Sequence, residues 1–307
     1  FFCTPALALP TLDALLARPD LCEVVLVVAQ PDKPAGRGRK LRPPPVAKRA
    51  AEVGLPLTQP RRVRTGAFPE LLESLDLDVA VVIAYGRILT TRHLETPRYG
   101  CINVHASLLP AWRGAGPIQW ALANDDAESG VTTMWMEEGL DTGPMLRVGR
   151  DPIRDDDTAT TLGARLSALG AQVLIRTLEE LVAGTLTATP QPEEGVSLAP
   201  LLTKEDGHID WSRPARAVSA HARGMTPWPG AVCGYRGQTL KVHGIGVADG
   251  EGAPGVVVKA DGDGIVVACG HGAVVLTRVQ PPGKRALDVA DFLNGYPVAV
   301  GESLELP

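Results

Sequence analysis

Apolar positions in the first half of the chain follow two alternating rhythms. CEVVLVVA (22–29), LDVAVVIAY (77–85) and GCINVHA (100–106) are short, continuous apolar runs rich in β-branched residues. That is the pattern of strands buried on both faces. Between them, TLDALLAR (11–18), PVAKRAAEVG (45–54) and GAFPELLESL (66–75) space their apolar residues at helical intervals. GVTTMWM (130–136) and MLRVGRDPI (145–153) read as further strands, and a helix is expected to start near Pro117. The clearest amphipathic helix covers 158–184, with Thr158 as N-cap and Gly184 as its stop. Strand and helix in alternation predict an α/β fold with a doubly wound, mostly parallel sheet.

The rhythm changes after Gly184. A Pro- and Thr-rich stretch comes next, and from about 207 short β runs are divided by glycines: AVCGYRGQTLKVHGIGV, GVVVKA and GIVVACGHGAVVLTRVQP. Such spacing predicts a small barrel or sandwich, closed by a short helix over 286–293. The chain is thus expected to divide into a domain over 1–186, a linker over 187–205 and a β domain over 206–307.

Composition narrows the class. No run approaches 18 uninterrupted apolar residues, so no membrane-spanning helix is expected. The opening FFCTPALALPTLDALL is interrupted by Pro5 and Pro10 and has no basic flank, so it reads as strand end, turn and helix rather than a leader. A buried first strand would need a few residues before Phe1. Cys3, Cys22, Cys101, Cys233 and Cys269 are widely spaced, odd in number and form no CxxC pair. This argues against structural zinc and a disulfide framework and for the reducing cytoplasm. His93, His208, His221, His243 and His271 lack ligand-like spacing, so no metal is expected. The formal net charge is −5, yet residues 31–64 hold ten Lys and Arg against Asp32 and Glu52. So local an excess reads either as a polyanion-facing patch on an acidic body or as a solvated loop.

The densest chemistry lies in CINVHASLLPAWRGAGP (101–117). Asn103 and His105 are two apart near the end of a predicted strand, so both leave one face at its carboxyl end, where open α/β sheets bind ligands. An Asn amide can donate to an oxyanion and a His can move a proton near neutral pH. Asp141, in the Gly-bracketed EEGLDTGPML (137–146), is the best candidate to orient the imidazole, ahead of Glu137 and Glu138. Spacing alone also admits a packed, hydrogen-bonded His105 and a turn residue at Asp141. Ser107 lacks a GxSxG elbow, and RGAGP lacks the third glycine of a dinucleotide fingerprint.

The run INVHASLLPAWRGAGPIQWA (102–121), followed by EEGLDTGPML, resembles the folate-dependent formyltransferases. AQPDKPAGRGRKLRPPPV (29–46), DGHIDWSRPARAV with GMTPWPGA and GQTLKVHG (206–244), and GDGIVVACGHGAVVLTRVQPPGKRA (262–286) narrow the likeness to the branch that formylates methionyl-tRNA. The likeness covers essentially the whole chain in order. It implies a Rossmann-like domain followed by an OB-like domain that binds tRNA; with no long apolar run no membrane partner is expected, and nothing in the sequence demands more than a monomer. It implies 10-formyltetrahydrofolate as formyl donor and the methionine of initiator Met-tRNA as acceptor. Carried over by position, Asn103, His105 and Asp141 become the catalytic set. Ser107, Leu108, Leu109 and Pro110 would line the folate site. Arg37, Arg39, Lys40 and Arg42 would face the tRNA, Arg37 nearest its end. The later domain would add phosphate contacts from candidates such as Arg213, Arg236, Lys241, Lys284 and Arg285. In one departure, the first loop reads Cys3-Thr4-Pro5 where the family usually has Gly-Thr-Pro. Cysteine reaches positive φ less cheaply than glycine, which puts that loop's shape in question.

Two other readings compete. One is formyl transfer to a ribonucleotide or amino-sugar nucleotide amine, against which the basic loop and the second domain argue. The other is a non-catalytic RNA-binding protein, for which an Asn/His/Asp set has no use. Aromatics are only 4% of the chain, few for a module that stacks bases.

Overall fold

The computed structural model describes residues 1–35, 38 and 40–306, and the chain resolves into two compact units. The first comprises Phe1–Pro117, Ser129–Asp151 and Gly163–Pro200; the second comprises Ile118–Glu128, Pro152–Leu162 and Leu201–Pro307.

The chain begins with β1 (Phe2–Cys3), α1 (Leu9–Leu16), β2 (Val27–Val28), β3 (Lys33–Ala35), β4 (Lys40–Arg42), α2 (Pro45–Glu52), β5 (Leu57–Thr58), α3 (Ala67–Glu73), β6 (Ala80–Ile83), α4 (Thr91–Glu95) and β7 (Cys101–His105). After them come β8 (Arg113–Gly114), α5 (Pro117–Ala123), β9 (Glu128–Trp135), β10 (Met145–Pro152), α6 (Ala159–Val182) and β11 (Leu198–Ala199). The central sheet of the first unit has the order β10-β9-β7-β6-β1-β2-β5. β5, β2, β1, β6 and β7 run parallel, and β9 returns antiparallel beside β7. The mostly parallel sheet read from the apolar runs is therefore present, with its reversal at β9.

Burial explains the register. Ala80–Ile83 are buried throughout, and on β7 only Asn103 is half open. The ladder at β2 covers two residues where the apolar run spans eight, because its neighbours β1 and β5 each present two. At the head of α6 the Thr158 hydroxyl accepts from the Thr161 N–H at 3.3 Å, and Gly184 beyond its end takes φ +68. The core of the first unit also buries a structural histidine. His93 Nε2 donates to Val63 O at 2.9 Å while Nδ1 accepts from the Thr90 N–H at 3.2 Å. Burial lowers its pKa.

Residues 187–200, read by composition as linker, are tied into this unit. Thr189 and Met145 exchange backbone hydrogen bonds, both 2.8 Å, and β11 pairs parallel with β8. β3 and β4 pair antiparallel, Lys33 with Arg42 and Ala35 with Lys40, and Lys33, Pro34, Lys40, Leu41 and Arg42 are exposed. The sequence pattern does not announce this pairing, since Pro, Gly and basic residues there carry no apolar alternation.

The second unit holds α7 (Ala215–Gly224), β12 (Ala231–Tyr235), β13 (Gln238–Ala248), β14 (Val257–Asp261), β15 (Gly264–Ala268), β16 (Ala273–Gln280), β17 (Leu287–Asp288) and α8 (Val289–Gly295). Its sheet runs β12-β13-β16-β15-β14 with β17 added to β16, and every pairing is antiparallel. Ile265, Val267, Leu276 and Phe292 lie in its fully buried core, and each such side chain contributes about 1.5–3 kcal/mol. α7 is a helix that the β pattern of this region does not foresee. Pro214 initiates it, and Val218 and Ala222, four apart, face the core.

Candidate functional site

β7 delivers Asn103 and His105 to the same face at its carboxyl end. Asn103 pairs with Val82 on one side and Met134 on the other. Asp141 comes from the turn between β9 and β10, in the left-handed region at φ +52, and its carboxylate reaches both side chains. Asn103 Nδ2 donates to Asp141 Oδ1 at 3.2 Å, and Asp141 Oδ2 lies 3.6 Å from His105 Nδ1. The His105 side chain is only 6% exposed and that of Asp141 13%. The three residues linked by inference from the sequence therefore form one cluster.

His105 Nε2 lies 2.9 Å from the carbonyl of Trp112, so it donates there. With a carbonyl at one ring nitrogen and a carboxylate near the other, the neutral ring can serve one acceptor and the imidazolium both. Of the two Asn103 amide hydrogens, one goes to Asp141 and the other is available to a substrate oxygen.

Beyond β7 the chain enters a tightly tied turn. The buried Ser107 hydroxyl donates to Ala111 O at 2.6 Å, which makes it a clasp rather than a nucleophile. Thr132, on β9, donates to Ser107 O at 2.7 Å and accepts from Leu109 N at 3.2 Å. Leu109 is buried, and Leu108 and Pro110 are half-buried beside it. β8 then supplies the anchor of the carboxylate, as Gly114 N donates to Asp141 Oδ2 at 2.9 Å. Gly114 has φ +126, and a Cβ there would stand 2.5 Å from Ala199 O on β11.

Two contributors escaped sequence reasoning. Thr132 could have been noticed as half of a polar pair inside an apolar strand. Gln191 could not, because its surroundings read as linker. Its Nε2 donates to Asp141 O and to Gly143 O, both at 2.8 Å, and its Oε1 accepts from Arg113 Nε at 3.0 Å and Nη2 at 2.6 Å. Its amide orientation is thereby fixed, and it clamps β8 to the turn that carries Asp141.

Across the sheet, Thr4 Oγ1 and Gln30 Nε2 donate to Tyr85 O at 3.1 and 2.7 Å, holding the turn after β6. Cys3 stands on β1 opposite Ile83 outside the left-handed region, so cysteine in place of glycine costs no backbone strain there. Burial pushes its thiol up to about 12, which keeps it protonated and inert.

Lys40 and Arg42 are exposed on β4, beyond the carboxyl end of β2, while Arg37 and Arg39 lie outside the described residues. In the second unit Arg236 pairs with Glu302 at 3.2 Å and donates to Pro297 O at 2.8 Å, so it has protein partners of its own. Among the described residues no group of three or more His, Cys, Asp or Glu side chains could hold a metal ion, and no helix is long and apolar enough to cross a membrane. A cavity of about 530 Å³ lies at the amino ends of β2 and β6, at the opposite edge of the sheet from His105.

Comparison with known proteins places both units. Residues 4–178 match the model of the family described as formyl transferase, and residues 201–297 that of the formyl transferase C-terminal domain. The chain is 47% identical over 304 residues to a protein of Geotalea uraniireducens named methionyl-tRNA formyltransferase, covering 99% of this chain and 96% of that one. Among solved structures, the N-formyltransferase from Helicobacter canadensis in complex with folinic acid and dTDP-3-aminofucose is 16% identical with a TM-score of 0.66, covering 89% of this chain and 96% of that one. HypX from Aquifex aeolicus in complex with tetrahydrofolic acid is 18% identical with a TM-score of 0.59, covering 83% of this chain but 45% of that one. At such identities the two structures speak to the fold alone.

Proposed function

The chain belongs to the formyl transferase family over both of its parts, and on that premise we propose that it transfers a formyl group from 10-formyltetrahydrofolate to the α-amine of methionine on initiator tRNA. The observation that carries this is the convergence of Asn103, His105 and Asp141 at the carboxyl edge of the sheet. The methionyl-tRNA formyltransferase name borne by a relative 47% identical over almost its full length supports tRNA as the acceptor. So does the basic hairpin of β3 and β4, for which a small amino sugar has no use.

In the reaction a bond forms between the methionine nitrogen and the formyl carbon, and the bond from that carbon to N10 of the folate breaks. Negative charge develops on the formyl oxygen as the amine adds. The second amide hydrogen of Asn103 donates to that oxygen, and His105 joins it by exchanging its Nε2 bond to Trp112 O for one to the substrate. Asp141, held by Gly114 N–H and facing Nδ1, keeps the imidazole oriented and takes the amine proton, directly or through water. The proton taken from the amine passes from Asp141 through His105 to the departing N10, which restores both groups. The 107–110 turn supplies the wall against which the folate lies. All five cysteines are free, and the reaction fits the cytoplasm, a compartment that keeps thiols reduced.

The test is one parallel assay with 10-formyltetrahydrofolate as donor and methionyl-tRNA, free methionine, a ribonucleotide amine or an amino-sugar nucleotide as acceptor. Turnover confined to methionyl-tRNA is expected. Faster turnover on either nucleotide amine would overturn the assignment.

A further inference from the structure

The first unit neutralises its guanidinium groups unevenly. Arg18, Arg49, Arg92, Arg147, Arg165 and Arg176 all form ion pairs with carboxylates. Among the described residues Arg61, Arg62 and Arg64 form none, and all three are exposed. They follow β5, the edge strand beside β2, and so share the carboxyl side of the sheet with the basic hairpin that follows β2. Gln59 ties the two segments together, its Nε2 donating to Gln30 O and to Asp32 Oδ1, both at 2.9 Å. Between the arginines Val63 is buried, and its carbonyl accepts from His93 Nε2 at 2.9 Å. The three cations therefore project from an anchored segment rather than a free loop.

Exposed arginines without carboxylates are a poor stability device and a good phosphate site, since guanidinium matches phosphate geometry with paired donors. Four strand spacings separate β5 from β7, about 19 Å at 4.8 Å each. That is far enough to keep these groups off the reacting atoms and close enough to meet the same RNA strand. We propose that Arg61, Arg62 and Arg64 bind backbone phosphates of the acceptor strand, so that the tRNA end reaches His105 from the β5 side of the sheet. The proposal rests on the methionyl-tRNA reading of the site and adds a contact surface outside the hairpin.

The test compares wild type with the triple variants Arg61→Gln/Arg62→Gln/Arg64→Gln and Arg61→Lys/Arg62→Lys/Arg64→Lys. Equilibrium binding of labelled tRNA is read by anisotropy across a salt series, and formylation of methionyl-tRNA is measured in parallel. Each phosphate contact on a single strand adds about 0.7 to the slope of log affinity against log salt, so losing three should flatten the glutamine variant's slope by about 2. Its KM for methionyl-tRNA should rise at least about tenfold at low salt, with the folate KM and melting temperature unchanged. The lysine variant should keep the wild-type slope. An unchanged slope in the glutamine variant, or equal loss in the lysine variant, overturns the surface. A wild type that binds tRNA with this slope but does not formylate it leaves the surface standing and removes the proposed function instead.

Discussion

The side-chain amide of Gln191 donates at 2.8 Å to the main-chain carbonyl of Asp141, 50 residues earlier in the chain. The carboxylate of Asp141 is thus aimed from two directions: by Gly114 N–H at its oxygen and by Gln191 at its backbone.

Gln191→Glu tests that arrangement with almost no change of shape. The new carboxylate still accepts from Arg113, but it cannot donate to Asp141 O and Gly143 O. Misplacing a reacting group by about 1 Å can cost about 10²-fold, so a fall in kcat of about 10- to 10²-fold is expected with both KM values nearly unchanged. Steady-state kinetics with kcat within twofold of wild type would show that the clamp is irrelevant to the chemistry.

Asn103→Ala and His105→Ala each remove one donor aimed at the developing oxyanion. Loss of a single such donor typically costs about 10²–10³ in turnover. Folate binding, measured by fluorescence titration, should survive in both. Near-normal turnover in either variant contradicts its role as an oxyanion donor.

Gly114→Ala forces a side chain into a left-handed backbone and against Ala199 O at 2.5 Å. The conformational strain alone is about 1–3 kcal/mol, and relief requires β8 to leave β11 and withdraw the N–H that holds Asp141. A lower melting temperature together with reduced kcat is expected. A variant with wild-type melting and rate would mean that the β8–β11 contact does not support the site.

Burial pushes the thiols of Cys3, Cys101 and Cys233 from 9.0 up to about 12. Unfolded, they ionise near 9.0. Between pH 9 and 12 the unfolded chain therefore binds fewer protons than the native one, and stability falls as pH rises; below 9 these groups add no slope. Thermal melts at pH 8 and 10 should show the decline, and Cys101→Ala should show a shallower one. The partly buried Cys22, whose thiol burial also raises, should be alkylated first by iodoacetamide in the native protein, as read by peptide mass spectrometry.

Much of the first unit was legible because its signals are local. Buried parallel strands need continuous apolar runs, so β6, β7 and β9 lie within residues of where the pattern puts them. The period-two geometry of β7 likewise puts Asn103 and His105 on one face without help from the rest of the chain. α7 and the β3–β4 hairpin were less visible. α7 sits in a region dominated by β runs, and the hairpin pairs lysine, proline and arginine rather than alternating apolar residues.

Local pattern was enough for the α/β order, the change to antiparallel strands after the long helix, the family likeness and the reactive face of β7. These arise from periodicity and from residue types at short spacing. How Asp141 is held, and which segment holds it, emerged only in three dimensions. Nothing near Gln191 marks it: it is a polar residue in a Pro- and Thr-rich stretch, and its meaning lies in three partners at positions 113, 141 and 143. Hydrogen bonds over 48 to 78 residues leave no local pattern. They exist because folding brings polar backbone groups out of water, and those groups must then find partners wherever the chain supplies them.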